Sequence, residues 1–261
     1  MLTFLKLGGS LITDKTAPRT ARPDVLARLM HEIAGAYAAH PEMRLVLGHG
    51  SGSFGHVEAL KYGTRAGVRT PAEWQGFAEV QAVAGQLNRL VADAARAAGL
   101  PIVNFPPSAS TIGRDGVIHS FAYQPIQAAL EHNLIPLVFG DVAIDGVRGG
   151  TIVSTEDVFR YLAVRLQPER ILLAGIEAGV LTRWPAGEVI PEITAQSRPE
   201  SLGGSHAADV TGGMASKVRE MLALAADVPG VEIRIFSGEV PGRVRAALMG
   251  GAVPGTIVRH I

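Results

Sequence analysis

Thr3-Phe4-Leu5-Lys6-Leu7-Gly8-Gly9-Ser10 is an apolar run that carries one lysine and ends on two glycines. It reads as a buried β-strand feeding a tight loop. Main-chain N–H groups at such glycines stay open to an anion, because no Cβ stands in front of them. The same form recurs along the chain. Arg44–Leu47 reads as a strand and runs into Gly48-His49-Gly50-Ser51-Gly52-Ser53-Phe54-Gly55-His56. Ile135–Phe139 reads as a strand that meets Gly140-Asp141, and Arg170–Ala174 as one that meets Gly175.

Helical periodicities lie between these strands. One helix opens at Pro23-Asp24, with Leu26, Leu29, Met30, Ile33 and Tyr37 on one face. A long one covers Pro71–Ala98, with Phe77, Val80, Ala84, Leu87 and Val91 along its stripe. Further helices are expected over Pro125–Glu131, from Ser154 to about Leu166 behind a Ser154/Asp157 capping box, over Met214–Ala226 and over Arg243–Met249. Further strands are expected at Ile102–Asn104, Glu232–Phe236 and Thr256–Arg259, with hairpin turns at Asp115-Gly116 and Asp145-Gly146. Strands alternating with helices predict an α/β fold, an open αβα sandwich around a central, mainly parallel sheet. One domain is expected over residues 1–261, with an internal break near Arg165–Arg170. The Pro-, Gly- and Ser-rich stretch Pro185–Asp209 reads as an excursion from it. Ligands of such sheets gather beyond the carboxyl ends of the strands, where the glycine clusters stand.

Composition narrows the chemistry. With 261 residues, 47% hydrophobic and 18% charged, the chain is long and apolar enough to bury a core. Its formal net charge is zero, so no basic excess points to nucleic acid or a membrane surface. There is no cysteine, which excludes disulfides, thiolate catalysis and cysteine-ligated metals. The amino terminus lacks a signal-peptide pattern, and no apolar run approaches the roughly 18 residues of a membrane span. A cytoplasmic protein is expected.

Four segments carry the candidate chemistry. Lys6, Gly8, Gly9 and Ser10, with Asp14-Lys15 just beyond, place positive charge and N–H donors where phosphoryl transfer needs them. Gly50–Gly55 matches G-x-G-x-x-G after a strand, and it ends on His56, a donor to an anionic group when protonated. Asp209-Val210-Thr211-Gly212-Gly213-Met214 opens a helix whose first amides suit phosphate, with Lys217 one turn inside. Gly140-Asp141 closes a strand and is placed to orient a substrate or a lysine. No G-x-x-x-x-G-K-[ST], H-R-D, D-F-G or G-x-S-x-G is present, and the histidines show no metal-ligand spacing.

Taken together, Lys6–Ser10, Thr13-Asp14-Lys15, Gly50–His56, Phe139–Val142 and Asp209–Lys217 resemble the amino-acid-kinase superfamily and, within it, the isopentenyl phosphate kinases. The Ser-Phe-Gly-His ending at His56 is the specific part. The fosfomycin kinases share much of the pattern. The resemblance implies ATP as co-substrate with Mg²⁺, a small phosphate-bearing acceptor and a homodimer. It implies that Lys6, Gly8, Gly9, Ser10, Gly52, Gly213 and Lys217 hold ATP, and that Lys15 stabilises the transferring group. Ser51, His56, Gly140 and Asp141 would hold or orient the acceptor. Lys6, Lys15, His56 and Lys217 then form the catalytic set, with acceptor binding in the half up to about residue 165 and nucleotide binding in the half from about 166. Two segments depart from the family pattern. Gly175-Ile176-Glu177-Ala178-Gly179-Val180 lacks an expected Asp, and Ser154-Thr155-Glu156-Asp157 replaces Ser-Gly-Asp-Asp. Rival readings are a fosfomycin-type phosphonate kinase or another small-acid kinase, a nicotinamide-nucleotide oxidoreductase using Gly50–Gly55, and a nucleotide-binding sensor.

Overall fold

Six residues in a row, Leu2–Leu7, are buried as strand β1, including Thr3 and Lys6. A strand covered on both faces has no polar side, which is why the segment reads as a continuous run rather than as an alternation. The computed structural model describes residues 1–183, 186–196 and 213–260, without the side chains of His56 and Val57. After β1 come α1 (Gly9–Ile12), α2 (Pro23–Ala39), β2 (Arg44–His49), α3 (Gly52–Tyr62) and α4 (Pro71–Ala97). Then follow β3 (Ile102–Asn104), the hairpin β4 (Thr111–Arg114) and β5 (Val117–Phe121), and α5 (Gln124–Glu131). Next are β6 (Ile135–Phe139), the hairpin β7 (Asp141–Asp145) and β8 (Gly149–Val153), α6 (Thr155–Leu166) and β9 (Arg170–Gly175). The chain closes with β10 (Glu192–Ile193), α7 (Gly213–Asp227), β11 (Glu232–Ser237), α8 (Arg243–Leu248) and β12 (Thr256–Val258).

The main sheet has eight strands in the order β10-β12-β11-β9-β1-β2-β6-β3, and among its pairs only β11–β12 is antiparallel. Alternation along the central strands sorts side chains to two cores. Leu5, Leu7, Leu45 and Leu47 pack with Leu26, Met30, Leu87 and Val91 of α2 and α4. Phe4, Val46 and Val138 pack on the opposite face with Ile126 of α5, Phe159 and Leu162 of α6, and Leu224 of α7. Helices cover both faces, giving the expected αβα sandwich.

Local chemistry fixes the ends. Thr70 and Glu73 form a reciprocal capping box behind Pro71 at the start of α4, and Ser154 with Asp157 does the same for α6. Asp115 and Gly116 both have positive φ, 53° and 80°, which suits the tight turn between β4 and β5. The two hairpins join into a second, four-stranded sheet, β5-β4-β7-β8, separate from the main one. The expected hairpins are therefore present, but their pairing with each other was not legible.

One expectation is corrected. The Gly50–His56 segment is not a loop throughout, because a helix begins at Gly52 and carries His56 in its second turn. Glycine costs about 1 kcal/mol relative to alanine in a helix interior, so the two glycines disguise it. The excursion after Pro185 contributes β10, which pairs with β12, while residues 197–212 lie outside the described residues.

Candidate active site

Because β9, β1, β2 and β6 are neighbours and parallel, their carboxyl ends open on one edge of the sheet. That edge carries Gly175, Gly8-Gly9, Gly50 to Gly52 and Gly140 in turn. The two central glycine segments interlock backbone against backbone. A Cβ on Gly9 would lie 2.2 Å from the Gly52 amide nitrogen, and one on Gly50 would lie 2.8 Å from the Gly9 nitrogen. No side chain fits at either position without moving main chain. Thr13 stitches the two loops together: its hydroxyl donates to Gly9 O at 2.7 Å and accepts from the Ser53 amide at 2.9 Å. Gly52, at φ 50°, passes so close that a Cβ there would fall 2.1 Å from that hydroxyl oxygen.

Charge converges on the same edge. Lys6, 8% exposed, has its ammonium ion-paired and hydrogen-bonded to Glu156 in the first turn of α6. Burial alone would raise the Glu156 carboxyl, but the Lys6 and Lys217 charges outweigh it, with help from the Lys6 hydrogen bond, and the net shift is downward. Glu156 is thus an anion, paired with Lys6 and within electrostatic reach of Lys217. Glu177, in the turn after β9, is raised by burial, while Lys15 and Lys217 oppose that shift. Lys217 therefore lies within electrostatic reach of both carboxylates, Lys6 of the first and Lys15 of the second. On the next turn of α7, Glu220 is raised by burial and by repulsion from Glu156 and Asp157.

Gly140 backs onto the start of α6, with space for a Cβ only at contact distance from Thr155 N and Val153 O, 3.4 Å each. Asp141 follows it, 1% exposed, accepting from the Ser108 amide at 3.1 Å and the Val142 amide at 2.8 Å. Burial pushes its carboxyl up despite those bonds. His49, behind the Gly50 loop, is fully buried and stacks on Phe139 with ring centroids 5.4 Å apart. Burial pulls its pKa down to about 4, so it is neutral at ordinary pH. Ser51 sits at the start of α3 without capping it through its side chain.

The profile of the amino acid kinase family matches residues 1–237. The chain belongs to the amino acid kinase family. An isopentenyl phosphate kinase of Methanothermobacter thermautotrophicus is 36% identical to it, over 98% of this chain and 98% of that protein. One from Methanocaldococcus jannaschii is 34% identical over 84% of this chain and 85% of its own length. Among solved structures, an isopentenyl phosphate kinase superposes with a TM-score of 0.84 at 33% identity, covering 99% of this chain and 100% of that one. A T. acidophilum isopentenyl phosphate kinase in a product complex does so with a TM-score of 0.80 at 25% identity, covering 99% and 100%.

Within this amino acid kinase, Lys6, Gly8, Gly9, Ser10, Ser51, Gly52, Gly140 and Asp141 stand at or just beyond the carboxyl ends of β1, β2 and β6, and Lys15 and Lys217 come within electrostatic reach of Glu177 after β9. Gly213 begins α7, four residues before Lys217, while Thr211 and Gly212 and the His56 side chain lie outside the described residues. Sequence reasoning missed Glu156 as the partner of Lys6, Thr13 as the stitch between loops, and His49. Glu156 stood inside a recognised capping segment, but its partner lies 150 residues away. Glu177 was noticed only as a departure from pattern.

Proposed function

We propose that this chain transfers the γ-phosphoryl group of ATP to the phosphate of isopentenyl phosphate, giving isopentenyl diphosphate and ADP. The observation that carries the reading is the buried Lys6–Glu156 ion pair beside two interlocked glycine loops, with Lys217 within electrostatic reach of Glu156 and Glu177 and Lys15 of Glu177. Whole-length similarity to isopentenyl phosphate kinases supports the choice of acceptor.

In this reading an acceptor phosphate oxygen attacks the γ-phosphorus, and the bond from that phosphorus to the β–γ bridging oxygen breaks. A phosphate monoester is already largely ionised near neutral pH, so no strong base is needed. Catalysis is alignment and neutralisation. Lys6 and Lys217 face the nucleotide phosphates with the amides of Gly8, Gly9, Ser10, Gly52 and Gly213. Glu156 holds Lys6 in place before ATP arrives, and phosphate oxygens then take over that ammonium group. Lys15 meets the migrating group. Ser51, His56 and Gly140 grip the acceptor phosphate, with Asp141 fixing the segment beside it. Among the described residues no group of three or more acidic or histidine side chains could hold a metal. Mg²⁺, brought in with ATP, would supply further neutralisation of phosphate charge. The reading also assigns acceptor binding to the half up to about residue 165 and nucleotide binding to the rest. It includes a homodimer and a cytoplasmic location.

The test is ADP release from ATP with isopentenyl phosphate, short alkyl phosphates and fosfomycin offered in parallel. Turnover highest with isopentenyl phosphate is expected. Turnover with fosfomycin alone, or none with any acceptor, would overturn the assignment.

A further inference from the structure

Lys15 stands on a loop whose seating is unusual. The loop leaves α1 and returns to α2, and its neck is closed by the antiparallel bridge Thr13↔Ala21, by Asp14 N–H to Thr20 O at 2.9 Å and by Arg22 N–H to Ile12 O at 2.8 Å. At Lys15 itself the Asp14 carboxylate accepts from the amide and hydroxyl of Thr16, 2.8 and 2.7 Å. The far side of the loop rests on α3. Arg19 N–H donates to Ser53 O at 3.1 Å, and the Thr20 amide and carbonyl both meet the Ser53 hydroxyl at 3.3 Å. Arg19 then reaches down α3 with its guanidinium to Glu58, its Nε 3.0 Å from Oε1 and its Nη2 on the same oxygen.

Two features set this pair apart from a surface ion pair. Arg19 holds a left-handed φ of 52°, an uncommon conformation for a residue with a side chain. Glu58 is 6% exposed, and its Oε2 has no hydrogen-bond partner among the described residues. A buried carboxylate with an idle oxygen is a poor way to gain stability, since an apolar side chain of similar size packs as well without the desolvation cost. What the pair does supply is direction. It joins the Lys15 loop to the helix that carries Ser51 at its start and His56 within it.

We infer that Arg19 and Glu58 are positioning residues that lock the Lys15 loop in register with the acceptor-binding helix. The inference rests on the reading of Lys15 given above. Neither residue is among those the proposed function assigns to ATP or the acceptor. It holds the loop so that the Lys15 ammonium meets the phosphoryl group where the acceptor oxygen arrives. A misplacement of about 1 Å in such a group costs up to about 100-fold in rate.

The test is the double substitution Arg19→Met with Glu58→Leu, which removes both charges and keeps the volume. Thermal unfolding is expected to stay near that of the wild type. The kcat is expected to fall about 10- to 100-fold with KM for ATP within about threefold. Made again in a Lys15→Ala background, the double substitution should cause no further loss, because the pair acts through Lys15. Unchanged kcat would overturn the inference. A fall of equal size in both backgrounds would overturn it while leaving the assignment of Lys15 intact. Full kcat in Lys15→Ala alone would remove the assignment of Lys15 and the inference with it. Should the double variant unfold, Glu58→Gln is read instead: it keeps the shape and drops the charge, and a several-fold loss of kcat confined to the Lys15 background supports the inference, whereas wild-type kcat overturns it.

Discussion

Strand β7 begins and ends with a buried aspartate, and the two are held in opposite directions. Asp141, beside Gly140 on the active-site edge, is 1% exposed and pushed up by burial, with the Ser108 and Val142 amides as its backbone donors. Asp145, at the hairpin end, is 2% exposed. Burial works against its charge too, but four backbone N–H groups outweigh it and hold the carboxyl at about 2. Those donors are Asp115 at 3.0 Å and Gly116, Val147 and Arg148 at 2.8 Å each. The difference lies in the donors and in depth, since Asp141 is the more deeply enclosed of the two. Asp145 is a structural anion that ties the β4–β5 turn to the β7–β8 turn and so makes the second sheet. Asp141 has two backbone donors and the Ser108 side chain, and the proposed function sets it beside the acceptor phosphate.

Three experiments press on that contrast. The largest effect is expected from Asp145→Ala, which strands several amides under the hairpins. Stability measured by urea unfolding should fall by about 3 kcal/mol, with kcat per folded molecule largely kept. A loss of activity without a loss of stability would reverse the roles of the two ends. Asp141→Asn keeps the shape and removes the charge. It should lower kcat about tenfold, as loss of an outer orienting carboxylate does, while unfolding moves little. Unaltered turnover would make Asp141 as structural as its neighbour.

The smallest effect is a difference in pH dependence. Asp141 titrates above its ordinary 3.8, so the native state keeps a proton that the unfolded chain has lost, and its contribution to stability grows as pH falls through that window toward 3.8. Asp145 runs the other way. Its contribution is full above 3.8 and is lost as pH falls toward about 2. The stability gap between wild type and Asp141→Asn should therefore drift with pH above 3.8, by at most about 1.4 kcal/mol per pH unit. The gap for Asp145→Ala should stay flat there and close only below 3.8. Parallel curves would abolish the distinction.

The same contrast shows what the sequence could and could not disclose. Asp115-Gly116 and Asp145-Gly146 announced two hairpins, and in the first both residues take the positive φ that a tight turn needs, while in the second it falls on Gly149. Nothing local announced that the hairpins pair with each other, since that depends on β4 lying parallel to β7. The Ser154/Asp157 capping box placed the start of α6 to the residue, as its chemistry is complete within four positions. Helix α3 escaped notice, because its opening glycines serve a close approach of backbones that exists only in three dimensions. At the site, lysines next to glycines were legible as phosphate-seeking groups. Their counter-charges were not: Glu156 and Glu58 look like ordinary helix residues until folding brings Lys6 and Arg19 to them.

The central claim is that Lys6, Lys15 and Lys217 act on one migrating phosphoryl group. It is tested most directly by kcat for Lys15→Ala with ATP and isopentenyl phosphate both saturating. A fall of about 100-fold or more is predicted, with both KM values within about threefold. Wild-type kcat in that variant would contradict the account.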